Sequence, residues 1–303
     1  MSFEIIILGS GAAIPTSRRN PTSQYIVCNE RHILIDCGEG TQMQIRKYGV
    51  RFQRINYILI SHLHGDHFFG LVGLISTMRL MGRDKNLVIY GPVGLEMIIR
   101  TQLEIGDSKL DFEIDFVELD GKTARMIYED NLIEIHTFPL KHRIPTNGFL
   151  IKEKIKERKL NSSKIKGSGL LFEHFHRLKS GEDIFTDDGK MYKNEDYTLP
   201  PNPSKSYAFC SDTSYFEDLI PHIQGVDLLY HEATFIEKEK SRAKATFHST
   251  AKQAATIAIK SGVKKLLLGH ISARYSNDLD HLKEAAEIFE NVLVAEDGSH
   301  HIL

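Results

Sequence analysis

Short apolar runs separated by turn residues set the pattern of this chain. Runs rich in Ile, Val, Leu and Tyr predict strands at residues 3–8, 25–28, 33–37, 56–61, 87–91, 132–138, 147–151, 206–210, 227–230, 265–269 and 292–295. Longer segments with helical spacing predict helices at residues 67–81, 92–104, 214–223, 249–261 and 279–290. Strands mixed with helices predict an α/β protein in which helices are layered on sheet.

One segment departs from this pattern. Residues 152–179 carry nine Lys or Arg against three Glu, and residues 180–201 then turn acidic and end in Pro200-Pro201. The 303 residues, 41% of them hydrophobic, suffice for a large core. We therefore expect a single domain over residues 1–303 with a basic, arm-like insertion at about 152–201. A solvated insertion without a partner is the alternative.

Composition narrows the class of protein. No stretch reaches the ~18 apolar residues that a membrane span needs, and Met1 leads directly into an apolar run, so we expect a cytoplasmic protein without a membrane partner. Cys28, Cys37 and Cys210 lie far apart, which predicts small buried residues rather than disulfides. The formal charge of −2 excludes a chain that is basic throughout, so a phosphate-rich partner must meet a local patch.

A cluster of metal-ligand residues follows the strand at 56–61. The motif is His62-Leu63-His64-Gly65-Asp66-His67, in a chain with 15 histidines. Side chains two apart on an extended segment point the same way, so His62 and His64 can share one ion. Gly65 permits a sharp turn that brings Asp66 and His67 back towards a second ion.

Four ligand side chains cannot complete two tetrahedral sites, so further ligands must come from elsewhere. Three apolar stretches each lead into one, at His142, Asp212 and His270. Nitrogen and carboxylate oxygen without thiolate fit zinc best and tolerate manganese or iron. Isolated histidines favour a structural interpretation at His32, His136, His222, His281, His300 and His301.

The order of these ligands resembles the metallo-β-lactamase superfamily. That resemblance implies an αββα four-layer sandwich and covers nearly the whole chain. Four further motifs are similar to those of its tRNase Z branch: Asp36 to Gln42, His231 to Phe235, His248 to Thr250, and Arg274 to Ser276 after His270.

The branch implies a substrate, precursor transfer RNA, and a homodimer. Pro15 to Asn20 resembles the branch's substrate-sensing loop, and this match makes Arg19 and Asn20 candidate substrate contacts. Ser17 stands where the family has a lysine. The basic insertion lies where the branch carries an arm that grips transfer RNA. Candidate arm contacts are Lys152, Lys154, Lys156, Lys164 and Lys166.

The resemblance also implies roles at the metal site. It gives two zinc ions per subunit, one held by His62, His64 and His142, the other by Asp66, His67 and His270, with Asp212 bridging. Asp66 would also accept the proton of the attacking water, and His248, positioned by Glu232, would donate a proton to the leaving 3′ oxygen. The alternative for His248 is a helix-start residue without catalytic consequence.

The resemblance therefore implies a zinc-dependent endoribonuclease that removes the 3′ trailer of precursor transfer RNA, leaving a 3′ hydroxyl on the transfer RNA and a 5′ phosphate on the trailer. One alternative is another hydrolase of the same fold, either a small-molecule phosphodiesterase or a thioesterase of the glyoxalase II type. The basic insertion argues against both, since a small substrate has no use for it. A second alternative, a non-catalytic RNA-binding relative, is opposed by the intact ligand set.

Overall fold

A computed structural model describes residues 2–186 and 189–303. In chain order, the strands of this part are β1 Phe3–Gly9, β2 Gly11–Ala12, β3 Ser23–Cys28, β4 Arg31–Ile35, β5 Tyr57–Leu59, β6 Leu87–Pro92, β7 Ile114–Leu119, β8 Arg125–Glu129, β9 Ile133–Leu140, β10 Thr146–Glu153, β11 Lys159–Leu160, β12 Ile184–Phe185, β13 Met191–Tyr192, β14 Thr198–Leu199, β15 Ser206–Cys210, β16 Leu228–Glu232, β17 Leu266–Gly269, β18 Ile271–Ser272, β19 Val292–Val294 and β20 His300–Ile302.

The α-helices of the same residues range from single turns to three turns in length. In chain order they are α1 Thr41–Lys47, α2 Gly65–Phe68, α3 Leu71–Leu80, α4 Leu95–Ile105, α5 Ser162–Ile165, α6 Phe172–Ser180, α7 Asn194–Tyr197, α8 Ile220–Ile223, α9 Lys240–Thr246, α10 Ala251–Ser261 and α11 Leu279–Ala286. Short 3₁₀ turns occupy Phe52–Arg54, Glu217–Leu219 and Glu237–Glu239.

Two seven-stranded sheets form the centre of the fold. The first has the order β20-β1-β3-β4-β5-β6-β7, and the second has the order β19-β17-β16-β15-β10-β9-β8. Strands β4 to β7 run parallel, as do β15, β16, β17 and β19. The carboxyl ends of parallel strands therefore share one edge in each sheet, which is where an open α/β sheet places its site.

Helices cover one face of each sheet. Ile45 of α1, Leu74 of α3 and Ile99 of α4 join the buried cluster of the first sheet. Helices α8, α10 and α11 pack on the second sheet, largely through alanines such as Ala254, Ala258 and Ala285. On the inner faces, the Tyr207 hydroxyl of β15 donates to the Gln24 side chain of β3, both buried. The layers thus follow in the order helix, sheet, sheet, helix.

The structure confirms every strand predicted from the apolar runs. Besides several strands of two residues, it adds three strands of three or more residues, β7, β8 and β20. All three lie at sheet edges. An edge strand has one partner and more solvent contact, so its sequence need not form an apolar run. This explains why the runs did not reveal them.

Two predicted helices are wrong in part. The segment predicted at 67–81 is interrupted between α2 and α3, because the Gly70 amide donates to the Cys37 carbonyl at 2.9 Å instead of continuing α2. The segment predicted at 214–223 is helical only from Glu217 onwards. There the Ser214 amide donates to the Lys141 carbonyl at 2.8 Å, which holds the preceding residues outside a helix.

The contacts divide the chain into two compact units. The larger comprises residues 1–129, 133–152 and 205–303, and the smaller comprises 130–132 and 153–204. The smaller unit has its own buried cluster of Leu178, Ile184 and Tyr192. The basic segment predicted as an insertion falls almost entirely in the smaller unit.

The structure also bears on the composition-based predictions about membrane spans and cysteines. Among the described residues, no helix is both long and apolar enough to cross a bilayer. Cys28, Cys37 and Cys210 are buried and are not joined in disulfides, which confirms their predicted role as small interior residues.

Candidate metal centre

The predicted ligands all follow the ends of strands. His62 and His64 come after β5, and α2 then presents Asp66 and His67. The other three ligands follow β9, β15 and β17, at His142, Asp212 and His270. Asp212 and His270 adopt positive φ angles of 58° and 53°, which non-glycine residues rarely do. Such backbone strain is typical of functional sites and turns these side chains away from the strand direction.

One group of ligand atoms converges on the histidines after β5. His62 Nε2 lies 2.9 Å from His64 Nδ1, and His142 Nε2 lies 3.3 Å from the same atom. Asp212 Oδ2 lies 3.5 Å from His62 Nε2 and 3.6 Å from His142 Nε2. These four residues therefore offer one ligand atom each within 4.8 Å of one another.

A second group shares Asp212. Asp212 Oδ1 lies 3.1 Å from His67 Nε2 and 3.1 Å from His270 Nε2. Asp66 Oδ2 lies 3.4 Å and 3.5 Å from the same two nitrogens. One oxygen of Asp212 thus faces each group, so this carboxylate would offer a ligand atom to both groups if each held an ion.

The donor set fits divalent metal ions. In the described part of the chain, His67 Nε2 and His270 Nε2 are buried and make no well-aligned hydrogen bond, even to Asp212 Oδ1 at 3.1 Å, although buried polar atoms rarely lack one. The opposite ring nitrogens are held: His67 Nδ1 by Asp36 Oδ2 at 2.6 Å and His270 Nδ1 by the Thr234 hydroxyl at 3.0 Å. A proton on Nδ1 leaves the Nε2 lone pair facing the site, as a metal ligand requires.

The electrostatics of the site also favour cations. Burial raises the pKa of the Asp212 carboxyl, but His270, His67 and His62 outweigh burial and hold this pKa well below its ordinary value. Burial lowers the pKa of His67, but Asp212, Asp66 and Asp36 outweigh it and raise this pKa well above its ordinary value. Buried carboxylates thus need positive charge next to them, which bound metal ions would supply.

His248 lies beside the ligands with Glu232 behind it. Its ring centroid is 5.2 Å from that of His142 and 5.4 Å from that of His270. Its Nδ1 lies 2.8 Å from Glu232 Oε1, which leaves Nε2 for a substrate. Burial lowers the pKa of His248, but the Glu232 carboxylate outweighs burial and raises it to about 9. The pair can therefore hold a proton at neutral pH.

An open cleft of about 480 Å³ contains the site. Besides the ligands and His248 it is lined by three arginines, Arg143, Arg242 and Arg274. Arg274 begins a motif that the sequence analysis noted, whereas Arg143 and Arg242 were not predicted, because isolated surface arginines carry no spacing signal. The Ala13 amide was not predicted either, although it donates to Asp66 Oδ2 at 2.9 Å and fixes that carboxylate.

The structure places Arg19 and Asn20 in contacts within the chain. The Arg19 guanidinium is buried, donates to Asp278 Oδ2 at 2.6 Å and also contacts the Ser10 hydroxyl. The Asn20 amide group donates to Asp297 Oδ2 at 3.0 Å. Both side chains thus fix their loop to other parts of the larger unit.

The five predicted arm lysines have different surroundings. Lys152 is exposed but belongs to the larger unit, while Lys156 bonds to Glu153 at 2.7 Å. Lys154 is half-buried, and its backbone amide donates to Leu132 at 2.8 Å. Lys164 and Lys166 are exposed in the smaller unit.

Known proteins provide independent comparisons. Residues 3–187 match a family model described as anti-Pycsar protein Apyc1. The chain is 44% identical over 296 residues to a ribonuclease Z of Bacteroides fragilis, covering 98% of this chain and 97% of that protein. It is 46% identical over 296 residues to a ribonuclease Z of Parabacteroides distasonis, with the same shares covered.

Solved structures agree with these relatives. Human tRNase Z, short form, superposes with a TM-score of 0.72 at 28% identity and 98% coverage of both chains. A metallo-β-lactamase fold protein from Bacillus subtilis, 16% identical, gives a TM-score of 0.70 over the whole of both chains and bears on the fold alone. These matches confirm the α/β metallo-β-lactamase fold and the resemblance found in the sequence. The chain belongs to the ribonuclease Z family.

Proposed function

We propose that this chain is a metal-dependent endoribonuclease that removes the 3′ trailer from precursor transfer RNA. One observation carries the proposal: two ligand groups share Asp212 beside the His248–Glu232 pair, in a chain closely similar to proteins named ribonuclease Z. The reaction is hydrolysis of a phosphodiester, which leaves a 3′ hydroxyl on the transfer RNA and a 5′ phosphate on the trailer.

Water is the nucleophile, so the chain needs no nucleophilic side chain. Divalent ions held by the seven ligands would supply hydroxide at neutral pH and positive charge opposite the phosphate. Asp66 orients the water and accepts its proton through a carboxylate that the Ala13 amide holds at 2.9 Å. As the new bond to phosphorus forms, the bond from phosphorus to the 3′ oxygen breaks.

The 3′ oxygen leaves with negative charge and must be neutralised. His248 donates the proton from Nε2, because Nδ1 is engaged by Glu232 at 2.8 Å. Glu232 is fully buried and keeps the ring charged until the transfer. The leaving oxygen thus becomes the 3′ hydroxyl of the product.

The proposal also includes finer properties that the family resemblance supports. It takes zinc as the metal, with two ions per chain, because nitrogen and carboxylate donors in two groups suit this ion. It also includes that the active enzyme is a homodimer located in the cytoplasm. The proposal assigns the substrate loop to the backbone that Arg19 and Asn20 hold in place through their internal contacts, and it assigns further substrate contacts to the lysines of the basic segment.

Trailer cleavage with and without a chelator tests the proposal. A precursor transfer RNA carrying a 3′ trailer is incubated with the purified protein, and the cut site is mapped. We expect a cut at the base of the trailer that is lost in chelator and restored by zinc. Asp66→Ala should abolish cleavage while RNA binding persists, because the ligand and base are lost but the surface is unchanged.

The alternative hydrolases give a different result. A small thioester and a small phosphodiester are assayed in parallel with the precursor. Turnover of either one without trailer removal would refute the proposed substrate, and full cleavage by Asp66→Ala would refute the role of that residue.

A further inference from the structure

Arg143 lies in the cleft in direct contact with a metal-ligand histidine, His64. It follows the ligand His142 directly, its side chain is exposed, and it lines the cleft. Its Nη2 lies 3.2 Å from His64 Nε2. In the described structure no carboxylate pairs with this guanidinium, so His64 is the partner that holds it at the site.

That contact is incompatible with a metal-loaded His64. His64 Nδ1 is the nitrogen that faces the other ligands, at 2.9 Å from His62 Nε2 and 3.3 Å from His142 Nε2. A nitrogen that binds a metal must present its lone pair, so the ring proton of a neutral imidazole then lies on Nε2. Nε2 becomes a donor and faces another donor, the Arg143 guanidinium.

Metal binding therefore leaves Arg143 without an acceptor. The neighbouring cation Arg274 is already engaged, by Glu239 at 3.7 Å and by the Phe235 ring at 5.2 Å. In the described structure Arg143 has no comparable carboxylate or ring contact, yet it lines the cleft that would bind a polyanion under the proposed function. A planar guanidinium matches the oxygens of a phosphate, which makes phosphate the natural acceptor.

We propose that Arg143 binds the backbone phosphate next to the scissile one and that metal binding at His64 frees it to do so. This inference rests on the proposed function. The guanidinium lies beyond the outer edge of the His64 ring, whereas the ligand atoms lie at its inner edge, so its phosphate is a neighbour of the one that is cut. Arg143 thus adds a phosphate contact when an ion is bound by the group that contains His64, to which Asp66 does not belong.

The first test compares Arg143→Gln with Lys141→Gln. Lys141 is an exposed cation two residues away that does not line the cleft, so both variants lose one positive charge from the same segment. We expect Arg143→Gln to raise KM for the precursor about tenfold, the usual effect of removing one charged hydrogen bond. Lys141→Gln should stay within about twofold, as should hydrolysis of bis(p-nitrophenyl) phosphate, which has no neighbouring phosphate.

Salt dependence gives a second signature. Each phosphate contact contributes about 0.7 to the slope of log affinity against log salt for a single strand. Arg143→Gln should lower the slope by about this amount, and Arg143→Lys, which keeps the charge, should restore it. An unchanged slope would overturn the proposal, as would equal losses on both substrates, which would place Arg143 on the scissile phosphate itself.

Binding without turnover tests the dependence on metal. Labelled precursor is titrated with Asp66→Ala protein, which cannot cut it, with and without a second Arg143→Gln change. We expect the second change to weaken binding about tenfold in zinc and to have no effect in chelator. Equal effects in both conditions would overturn the gating by His64. If wild-type protein fails to cut the precursor, the proposed function fails; if it cuts but Arg143→Gln binds normally, only this inference fails.

Discussion

A single hydroxyl group links the metal ligands to the proton donor. The Thr234 hydroxyl lies 2.7 Å from Glu232 Oε2 and 3.0 Å from His270 Nδ1. It has one hydrogen, which the carboxylate must receive, so its oxygen accepts the proton of His270 Nδ1. Glu232 therefore orients His248 through one oxygen and His270, by way of Thr234, through the other.

Replacing Thr234 with valine tests this link. Thr234→Val keeps the shape of the side chain but removes the hydroxyl, so His270 is free to place its proton on Nε2. We expect a loss of about 10- to 100-fold in metal affinity or kcat, the usual cost of removing a partner behind a ligand histidine. Metal content after dialysis against a weak chelator, together with kcat for the precursor, measures it.

Two further variants separate positioning from packing. Thr234→Ser keeps the hydroxyl and should recover most of the metal retention. Thr256→Val removes a hydroxyl whose bond among the described residues is to the Lys252 carbonyl of its own helix, at 2.7 Å, and this variant should retain metal normally. Normal metal content and kcat in Thr234→Val would show that the hydroxyl does not position His270.

The ligands were accessible from the sequence, whereas their partners were not. His62, His64, Asp66 and His67 form a dense motif, and a histidine or aspartate at a strand end is visible in a sequence. Thr234 lies in the His231 to Phe235 motif, but its role, like that of Arg143, depends on the distance to atoms that only the fold brings near. The internal contacts of Arg19 likewise depend on Asp278, 259 residues further along the chain.

At the level of elements, the site depends on how the segment after β4 meets the ligand helix. The Cys37 amide donates to the His67 carbonyl at 2.7 Å, and the Gly70 amide donates to the Cys37 carbonyl at 2.9 Å. A β-carbon at Gly70 would lie 2.2 Å from the Gly38 carbonyl oxygen. Only glycine allows this close approach, which ends α2 and starts α3. Helical periodicity could not reveal it, so the sequence predicted one helix here.

Two glycines three residues apart give a matched pair. Gly70→Ala must push the 37–38 segment away from α2, so we expect a loss of about 1–3 kcal/mol in unfolding free energy, as for other overpacked sites, and lower kcat. Gly73 lies inside α3, where a β-carbon would meet only Gln42 Oε1 at an ordinary 3.5 Å. Gly73→Ala should stabilise the protein by about 0.5–1 kcal/mol through helix propensity.

Chemical denaturation and trailer cleavage, measured on both variants, decide the matter. Opposite signs of the stability change are expected, with normal kcat in Gly73→Ala. Equal stability of the two variants would mean that residues 37–38 move away from Gly70 at little cost in free energy and do not hold helix α2 in place.

At the level of the whole molecule, the arrangement of charge matters more than its sum. The formal charge is −2, yet the smaller unit contains most of the basic segment. Composition therefore predicted where a polyanion could be met, since a local excess of lysine is visible in the sequence. Which lysines are available was not visible, because Lys156 is engaged by Glu153 through a contact that the fold sets.

Lys164 and Lys166 are consequently the lysines with which to test the smaller unit. Their joint change to glutamine should raise KM for the precursor. The slope of log KM against log salt should fall by about one for each phosphate that the variant no longer binds. Hydrolysis of bis(p-nitrophenyl) phosphate should be unchanged. The control is the joint change of Lys109 and Lys122, two exposed lysines of the larger unit, which alters the net charge of the chain equally. If both pairs change the slope alike, general charge rather than direct phosphate binding explains the effect. If small-substrate hydrolysis falls in parallel with precursor cleavage, the lysines support folding instead.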